Sequence, residues 1–149
     1  ELQIILMSAL PVAELRVALP VAILQYNIFP LYALFLSVIG NLLPIAIVFF
    51  FLPPFLRFAE KHIPVLHRVM ENYLRSLERK HRNKYHKYGA FFLFLFVAVP
   101  FPGTGAWTGS VLAVLFGVKP KASIPAIACG VIAAGLIVLI LTLGYENLY

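Results

Sequence analysis

One stretch of this chain, residues 100–109 with the sequence PFPGTGAWTG, excludes a continuous helix. The apolar runs at 91–99 and 111–118 flank it, and each is too short to span a bilayer, which takes about 20 apolar residues as a helix. Two prolines and three glycines this close together end a helix. Non-helical backbone at membrane depth is tolerated only where protein buries it or where it lines a water-filled cavity. The stretch therefore predicts the tip of a re-entrant hairpin, where transporters tend to hold their substrates.

The composition favours an integral membrane protein of the all-α class. Hydrophobic residues make up 62% of the 149 positions and charged residues only 12%, which is far more apolar than a soluble domain. Nine of the twelve Lys and Arg residues lie between 57 and 87. In a membrane protein such a block indicates a cytoplasmic loop near anionic headgroups rather than a nucleic-acid site. We therefore expect no nucleic-acid partner.

The order of the segments predicts one membrane domain over 1–145, built as an inverted repeat of a re-entrant helical hairpin plus a transmembrane helix. The predicted parts are a hairpin at 1–28, a transmembrane helix at 29–56, a second hairpin at 90–118 and a second transmembrane helix at 120–144. Pro11 and Pro100 occupy matching places in the two hairpins, and Pro30 and Pro120 precede the two long apolar runs. Because one span separates the hairpins, they should enter from opposite sides. Residues 146–149 look like the remnant of an artificial linker.

The segment 57–89 joins the halves, and we expect it to contain a cationic amphipathic helix at the cytoplasmic face. Its apolar side chains fall at helical spacing: Leu66, Val69, Met70, Tyr73, Leu74 and Leu77. Arg75, Arg79 and Arg82 would then contact anionic headgroups. The excess of positive charge predicts a cytoplasmic loop with both chain ends on the other side.

Glu14 and Arg16 are the only charged side chains between residues 4 and 56. A charge at the centre of the bilayer costs about 2.5–3.5 kcal/mol on insertion scales, so it persists when it is paired, hydrated or functional. In one interpretation Glu14 takes up and releases a proton while Arg16 holds an anion. In the other they form a structural pair that pins the hairpin. Residues two apart do not face each other on a helix, so a direct pair requires non-helical backbone at Leu15.

The second hairpin offers hydroxyl groups, an indole N–H and glycines that allow close approach of a ligand or of another backbone. A helix beginning after the break would point its positive end at an anion. Asn41, beside Gly40, either faces a cavity or makes an interhelical hydrogen bond where Gly40 permits close packing. The candidate substrate- and ion-binding residues are Glu14, Arg16, Asn41, Pro100, Pro102, Gly103, Thr104, Gly105, Trp107 and Thr108.

Three motifs together resemble the family of small multidrug export proteins: Glu14-Leu-Arg16 with Pro20, Gly40-Asn41 with Pro44, and the stretch 100–109. The resemblance covers the chain to about Gly144. It implies a relation to the DedA/VTT superfamily, whose members have paired re-entrant hairpins and include proteins implicated in moving polyprenyl-phosphate carriers or phospholipids. The inner membrane of a prokaryote is the implied location. This chain differs from DedA proteins in having no basic residue in its second hairpin.

These observations predict a proton-coupled transporter or flippase for an amphipathic anion such as a lipid phosphate. The alternatives are an uncoupled scramblase or channel, an efflux protein for small molecules, and a membrane factor that transports nothing. No nucleophile with a histidine in reach occurs in the apolar segments, so we expect no enzyme. We also expect no cofactor and no metal. Gly130 and Gly135 on the last apolar run would suit a homodimer.

Overall fold

The computed structural model of the chain describes residues 1–62, 68, 84–101 and 103–146, and this part is all-helical, with six helices and no strand. The helices are α1 (Leu2–Ala9), α2 (Glu14–Leu24), α3 (Pro30–His62), α4 (Lys84–Ala98), α5 (Ala106–Leu115) and α6 (Pro120–Glu146). The predicted amphipathic helix, with Arg75, Arg79 and Arg82, lies outside the described residues, as do Pro102 and 147–149.

The order short helix, short helix, long helix occurs twice along the chain. Both long helices begin with the prolines singled out in the sequence, Pro30 and Pro120, because proline lacks only an N–H that the first helical turn leaves unpaired anyway. The predicted helix break is confirmed, since α4 ends at Ala98 and α5 begins at Ala106. A second break separates the end of α1 from the start of α2 at Glu14.

The long helix α3 extends past its predicted end at residue 56 to His62, and its internal prolines do not interrupt it. Helix α4 likewise begins at Lys84, inside the segment assigned to the loop. Among the described residues, two stretches are long and apolar enough to cross a bilayer: Pro30–Ala59 and Pro120–Tyr145. Their helical lengths, about 45 and 39 Å, exceed the hydrocarbon thickness of about 30 Å.

Helix α6 packs along α4 and also contacts α2, α3 and α5. Helix α3 contacts α1, α2 and α5 in addition to α6. Large apolar side chains cover the outward faces, including Phe50 at 75% exposure and Ile140 at 69%. Cys129 is also exposed on α6. A surface of this kind suits lipid, because apolar patches of this extent are rare on soluble monomers.

The glycines on α6 are used inside the chain. A methyl group at Gly130 would meet the Phe94 carbonyl of α4, and one at Gly135 would meet the Leu34 side chain of α3. These glycines therefore bring α6 close to its own neighbours, and the expected homodimer loses this support.

Candidate functional site

The turn between α1 and α2 lies against the turn between α4 and α5, although the two are some 90 residues apart in sequence. Arg16 Nη2 donates a hydrogen bond to Thr104 Oγ1 over 3.0 Å, and Trp107 Nε1 donates one to the Ala9 carbonyl over 2.9 Å. The Ala9 carbonyl belongs to the last turn of α1, where helix carbonyls have no partner within the helix. We call this contact between the two turns the turn junction.

Glu14 and Arg16 form an ion pair in the turn junction, with 3.8 Å between Arg16 Nε and Glu14 Oε2. Glu14 is the first residue of α2 and has a φ of +49°, a left-handed conformation that is uncommon for any residue other than glycine. The non-helical backbone that a pair two residues apart requires therefore lies at Glu14 rather than at Leu15. Glu14 is 6% exposed, so the pair is largely withdrawn from the surface.

Gly105 supplies the surface on which the Glu14 carboxylate lies. A Cβ atom at Gly105 would overlap both carboxylate oxygens of Glu14. Gly105 is also the N-cap of α5, so the carboxylate lies at the positive end of a ten-residue helix. Its φ of −89° is open to any residue, so glycine is required here for close approach and not for backbone conformation.

Thr104 stabilises the turn between α4 and α5. Its hydroxyl lies 2.7 Å from the Val99 carbonyl and 2.8 Å from the Phe101 carbonyl, and it accepts from the Phe101 N–H as well as from Arg16. Threonine is suited to such local side-chain to backbone bonds in turns. Gly103, next to it, is exposed and has a φ of +88°, in the region that favours glycine.

An open, mostly apolar groove of about 460 Å³ adjoins Arg16. Its lining residues come from α2, from the turn between α4 and α5, and from α6: Arg16, Pro20, Leu24, Pro100, Val138, Leu141, Thr142 and Tyr145. Arg16 is the charged residue in this lining, and the Thr142 hydroxyl donates to the Val138 carbonyl within its own helix. The groove therefore combines one cation with an apolar wall. From the sequence we did not predict that residues of α6 line this site. The pattern that could have indicated them is their spacing of three and four residues along one helix face.

The other candidate residues are placed separately. Thr108 is half-buried on α5, and Pro100 lines the groove. Asn41 is buried on α3, and the close packing expected beside it is confirmed, since a methyl group at Gly40 would overlap the Ile5 carbonyl of α1. The expected interhelical hydrogen bond does not form through Asn41 Oδ1, which has no partner in the part of the chain that the structure describes. The helices here meet through Gly40 rather than through the amide oxygen.

Within the described residues, no three His, Cys, Asp or Glu side chains come together as metal ligands. The site thus consists of an ion pair, a hydroxyl, a helix N-terminus and an apolar groove.

A family model described as "Putative small multi-drug export protein" matches residues 14–137, which include Glu14, Arg16 and Thr104 of the turn junction, all of α3 and most of α6. No curated protein and no solved structure matches the chain. The matched region begins at Glu14 itself and contains Gly40-Asn41 and the whole stretch 100–109. Two long apolar helices and a match over most of its length show that this chain is a membrane protein of the small multi-drug export family.

Proposed function

We propose that this protein moves an amphipathic anion, such as a lipid phosphate, across the membrane and couples this movement to protons. The observation that carries the proposal is the groove headed by Arg16. A groove with one cation and an otherwise apolar lining is complementary to a molecule with an anionic head and a hydrocarbon tail. An efflux site for hydrophobic cations would instead require an unpaired acidic group, and Glu14 is paired with Arg16.

Arg16 retains donors for a ligand. A guanidinium carries five N–H groups, and the hydrogen bond to Thr104 uses one of them. The 3.8 Å separation from Glu14 joins Nε to the carboxylate as a loose ion pair. The planar guanidinium suits the oxygens of a phosphate or carboxylate, which it binds through paired hydrogen bonds.

Glu14 gives the site a means of coupling. When Glu14 is ionised it neutralises part of the Arg16 charge, and when it is protonated that charge acts on the groove alone. Protonation of Glu14 and binding of an anion at Arg16 therefore favour each other, and by linkage each increases the affinity for the other to the same degree. A proton and an anion that bind together cross the membrane in the same direction.

The contact between the α1–α2 turn and the α4–α5 turn supports this proposal. We infer that α1–α2 and α4–α5 are re-entrant hairpins of an inverted repeat, with the turn junction near the middle of the bilayer and the loop 57–89 in the cytoplasm of a prokaryote. This arrangement would also fit a relation to the DedA/VTT superfamily. The two breaks, each followed by a short and then a long helix, support the inference.

Flux in proteoliposomes tests the proposal. Labelled lipid phosphate and labelled phospholipid are followed with and without a pH gradient, in the wild type and in Glu14→Gln. We expect the lipid phosphate to move away from the acidic side, and we expect the gradient to have no effect in Glu14→Gln. Equal movement of both lipids in both proteins without a gradient would indicate a scramblase. No movement of either lipid would refute the proposal and favour small-molecule efflux or a role without transport.

Arg16→Gln with a matched control separates the charge in the groove from the overall charge of the protein. Arg16→Gln should abolish movement of the lipid phosphate because it removes the charge from the groove. Lys121→Gln removes an equal charge from an exposed position outside the groove and should leave movement unchanged. Equal loss in both variants would show that overall charge, and not the groove, determines the flux.

A further inference from the structure

We propose that the interface between α1 and α3 contains a site for a small monovalent cation such as Na⁺. The inference is independent of the groove and of the proposed function. It rests on buried oxygen atoms without hydrogen-bond partners in the described part of the chain, namely Ser8 Oγ, Ser37 Oγ and Asn41 Oδ1. Ser8 and Ser37 are 0% exposed and Asn41 is 3% exposed. Buried polar groups normally have a partner, so several unpaired oxygens in one interface point to a bound species.

Ser8 lies at a point of contact between the two helices, and the helical spacing of α3 brings Ser37 and Asn41 close to the same point. A Cβ atom at Gly40 would lie 2.7 Å from Ser8 Cβ, so Ser8 rests directly against Gly40. Ser37 precedes Asn41 by four residues on α3 and Gly40 by three, which places all three on one face of the helix. Side chains at these spacings have Cβ atoms about 5–6 Å apart. Their oxygens can therefore turn towards one ion.

The local backbone adds partial negative charge at the same place. Ser8 lies in the last turn of α1, where the helix dipole is negative and where carbonyl groups lack helix partners. Pro44 has no N–H to donate to the Gly40 carbonyl, which would be its usual acceptor in a helix. Pro44 is itself fully buried, so water does not replace that donor freely.

The chemistry of these oxygens selects the kind of ion. Hydroxyl, amide and main-chain oxygens are hard ligands, and here they carry no formal charge. Divalent Ca²⁺ and Mg²⁺ usually require carboxylates, and none of the three side chains supplies one. Neutral oxygens of this kind, including helix C-terminal ends, hold Na⁺ in membrane transporters. The direct contact of Gly40 with the Ile5 carbonyl leaves little room, which favours Na⁺ over the larger K⁺.

Binding of radiolabelled sodium to the purified full-length chain in detergent tests the site directly. Choline chloride keeps the ionic strength constant, and the assay requires no transport, so its result is separate from that of the flux experiment. We expect saturable binding that unlabelled Na⁺ displaces better than K⁺. Asn41→Leu and Ser37→Ala should each lower the affinity about tenfold or more, because loss of a residue that only supports a metal ligand already costs about 10–100-fold.

Ser123→Ala is the matched control. Ser123 is also 0% exposed, but its hydroxyl donates to the Lys119 carbonyl of its own helix over 3.1 Å. This variant should bind sodium as the wild type does. A second measurement, the melting temperature in NaCl against choline chloride, should show a sodium-dependent rise in the wild type and in Ser123→Ala that is lost in Ser37→Ala.

Three results would overturn the proposal: no saturable sodium binding by the wild type, wild-type affinity in both Ser37→Ala and Asn41→Leu, or displacement by K⁺ as effective as by Na⁺. Ser37→Ala removes only a hydroxyl that has no partner among the described residues, so this variant should fold. Its sodium response therefore remains interpretable even if Asn41→Leu does not fold.

Discussion

Substituting Gly105 with alanine should displace the Glu14 carboxylate without straining the backbone. The new Cβ atom would occupy the position of both carboxylate oxygens, and the φ of −89° at Gly105 is accessible to alanine. The carboxylate is the far end of a flexible side chain, so it can move away. It would leave the N-terminus of α5 and its partner Arg16. The variant thus moves the Glu14 charge without removing it.

The loss of stability expected in Gly105→Ala follows from the strength of the ion pair between Arg16 and Glu14. At 3.8 Å the Coulombic attraction between Arg16 and Glu14 is about 4 kcal/mol at an effective dielectric constant of 20. The cost of removing both charges from water offsets much of this attraction. We therefore expect Gly105→Ala to lower the free energy of unfolding by about 1–3 kcal/mol. Gly144→Ala, at a helical position with open space around it, should instead raise it by up to about 1 kcal/mol.

A double-mutant cycle in detergent micelles provides the assay. The free energies of unfolding of wild type, Gly105→Ala, Glu14→Ala and the double variant give the coupling energy between the two positions. Because Glu14→Ala removes the displaced group, Gly105→Ala should cost almost nothing in that background, and the coupling should be about 1–3 kcal/mol. If Gly105→Ala costs the same with and without Glu14, the carboxylate does not lie on Gly105 and the account of the turn junction is wrong.

Three further predictions concern other contacts. Trp107→Phe removes the indole donor from the Ala9 carbonyl and should lower the free energy of unfolding by about 1–2 kcal/mol in the same micelle assay; an unchanged value would mean that this bond does not hold the turns together. Gly40→Ala places a methyl group against the Ile5 main-chain carbonyl, which cannot move as a side chain does, so it should destabilise by about 1–3 kcal/mol where Gly144→Ala does not. Leu141→Trp narrows the groove and should slow the flux of lipid phosphate, whereas Ile140→Trp, at a similarly exposed neighbouring position outside the lining, should not; equal effects would remove the groove from the transport path.

The sequence was sufficient to predict the helix breaks and the starts of the long helices. Proline at 30 and 120 and the run of glycine and proline at 100–105 act through local backbone chemistry, which does not depend on the rest of the fold. The extent of α3 was harder to predict. Its three internal prolines suggest that the helix ends early, but in an apolar environment with neighbouring helices it continues through them to His62. The two charged residues were also visible, since charges are rare in apolar segments, but the sequence left open whether they pair.

The groove and the contact of Glu14 with Gly105 were not visible in the sequence. Helix α6 is apolar on every side, so its pattern does not show which face meets α2. The left-handed conformation of Glu14 was equally hidden, because glutamate has no local preference for a positive φ. Contacts between residues 90 positions apart depend on how the helices meet, and a single sequence carries no direct record of that.

The strength of the turn junction agrees with a switching role under the proposed function. Two hydrogen bonds cross between the turns, from Arg16 to Thr104 and from Trp107 to Ala9, whereas the loose pair of Arg16 with Glu14 lies within one turn. The bond from charged Arg16 contributes about 1.5–3 kcal/mol net and the neutral bond about 0.5–1.5 kcal/mol, so together they hold the turns with roughly 2–4 kcal/mol. A ligand shifts a two-state equilibrium from 1:99 to 99:1 with about 5.5 kcal/mol of differential binding. Under the proposed function, an anion that binds Arg16 would compete with Thr104 for the guanidinium, so binding at the groove would act directly on one of the two bonds that keep the turns together.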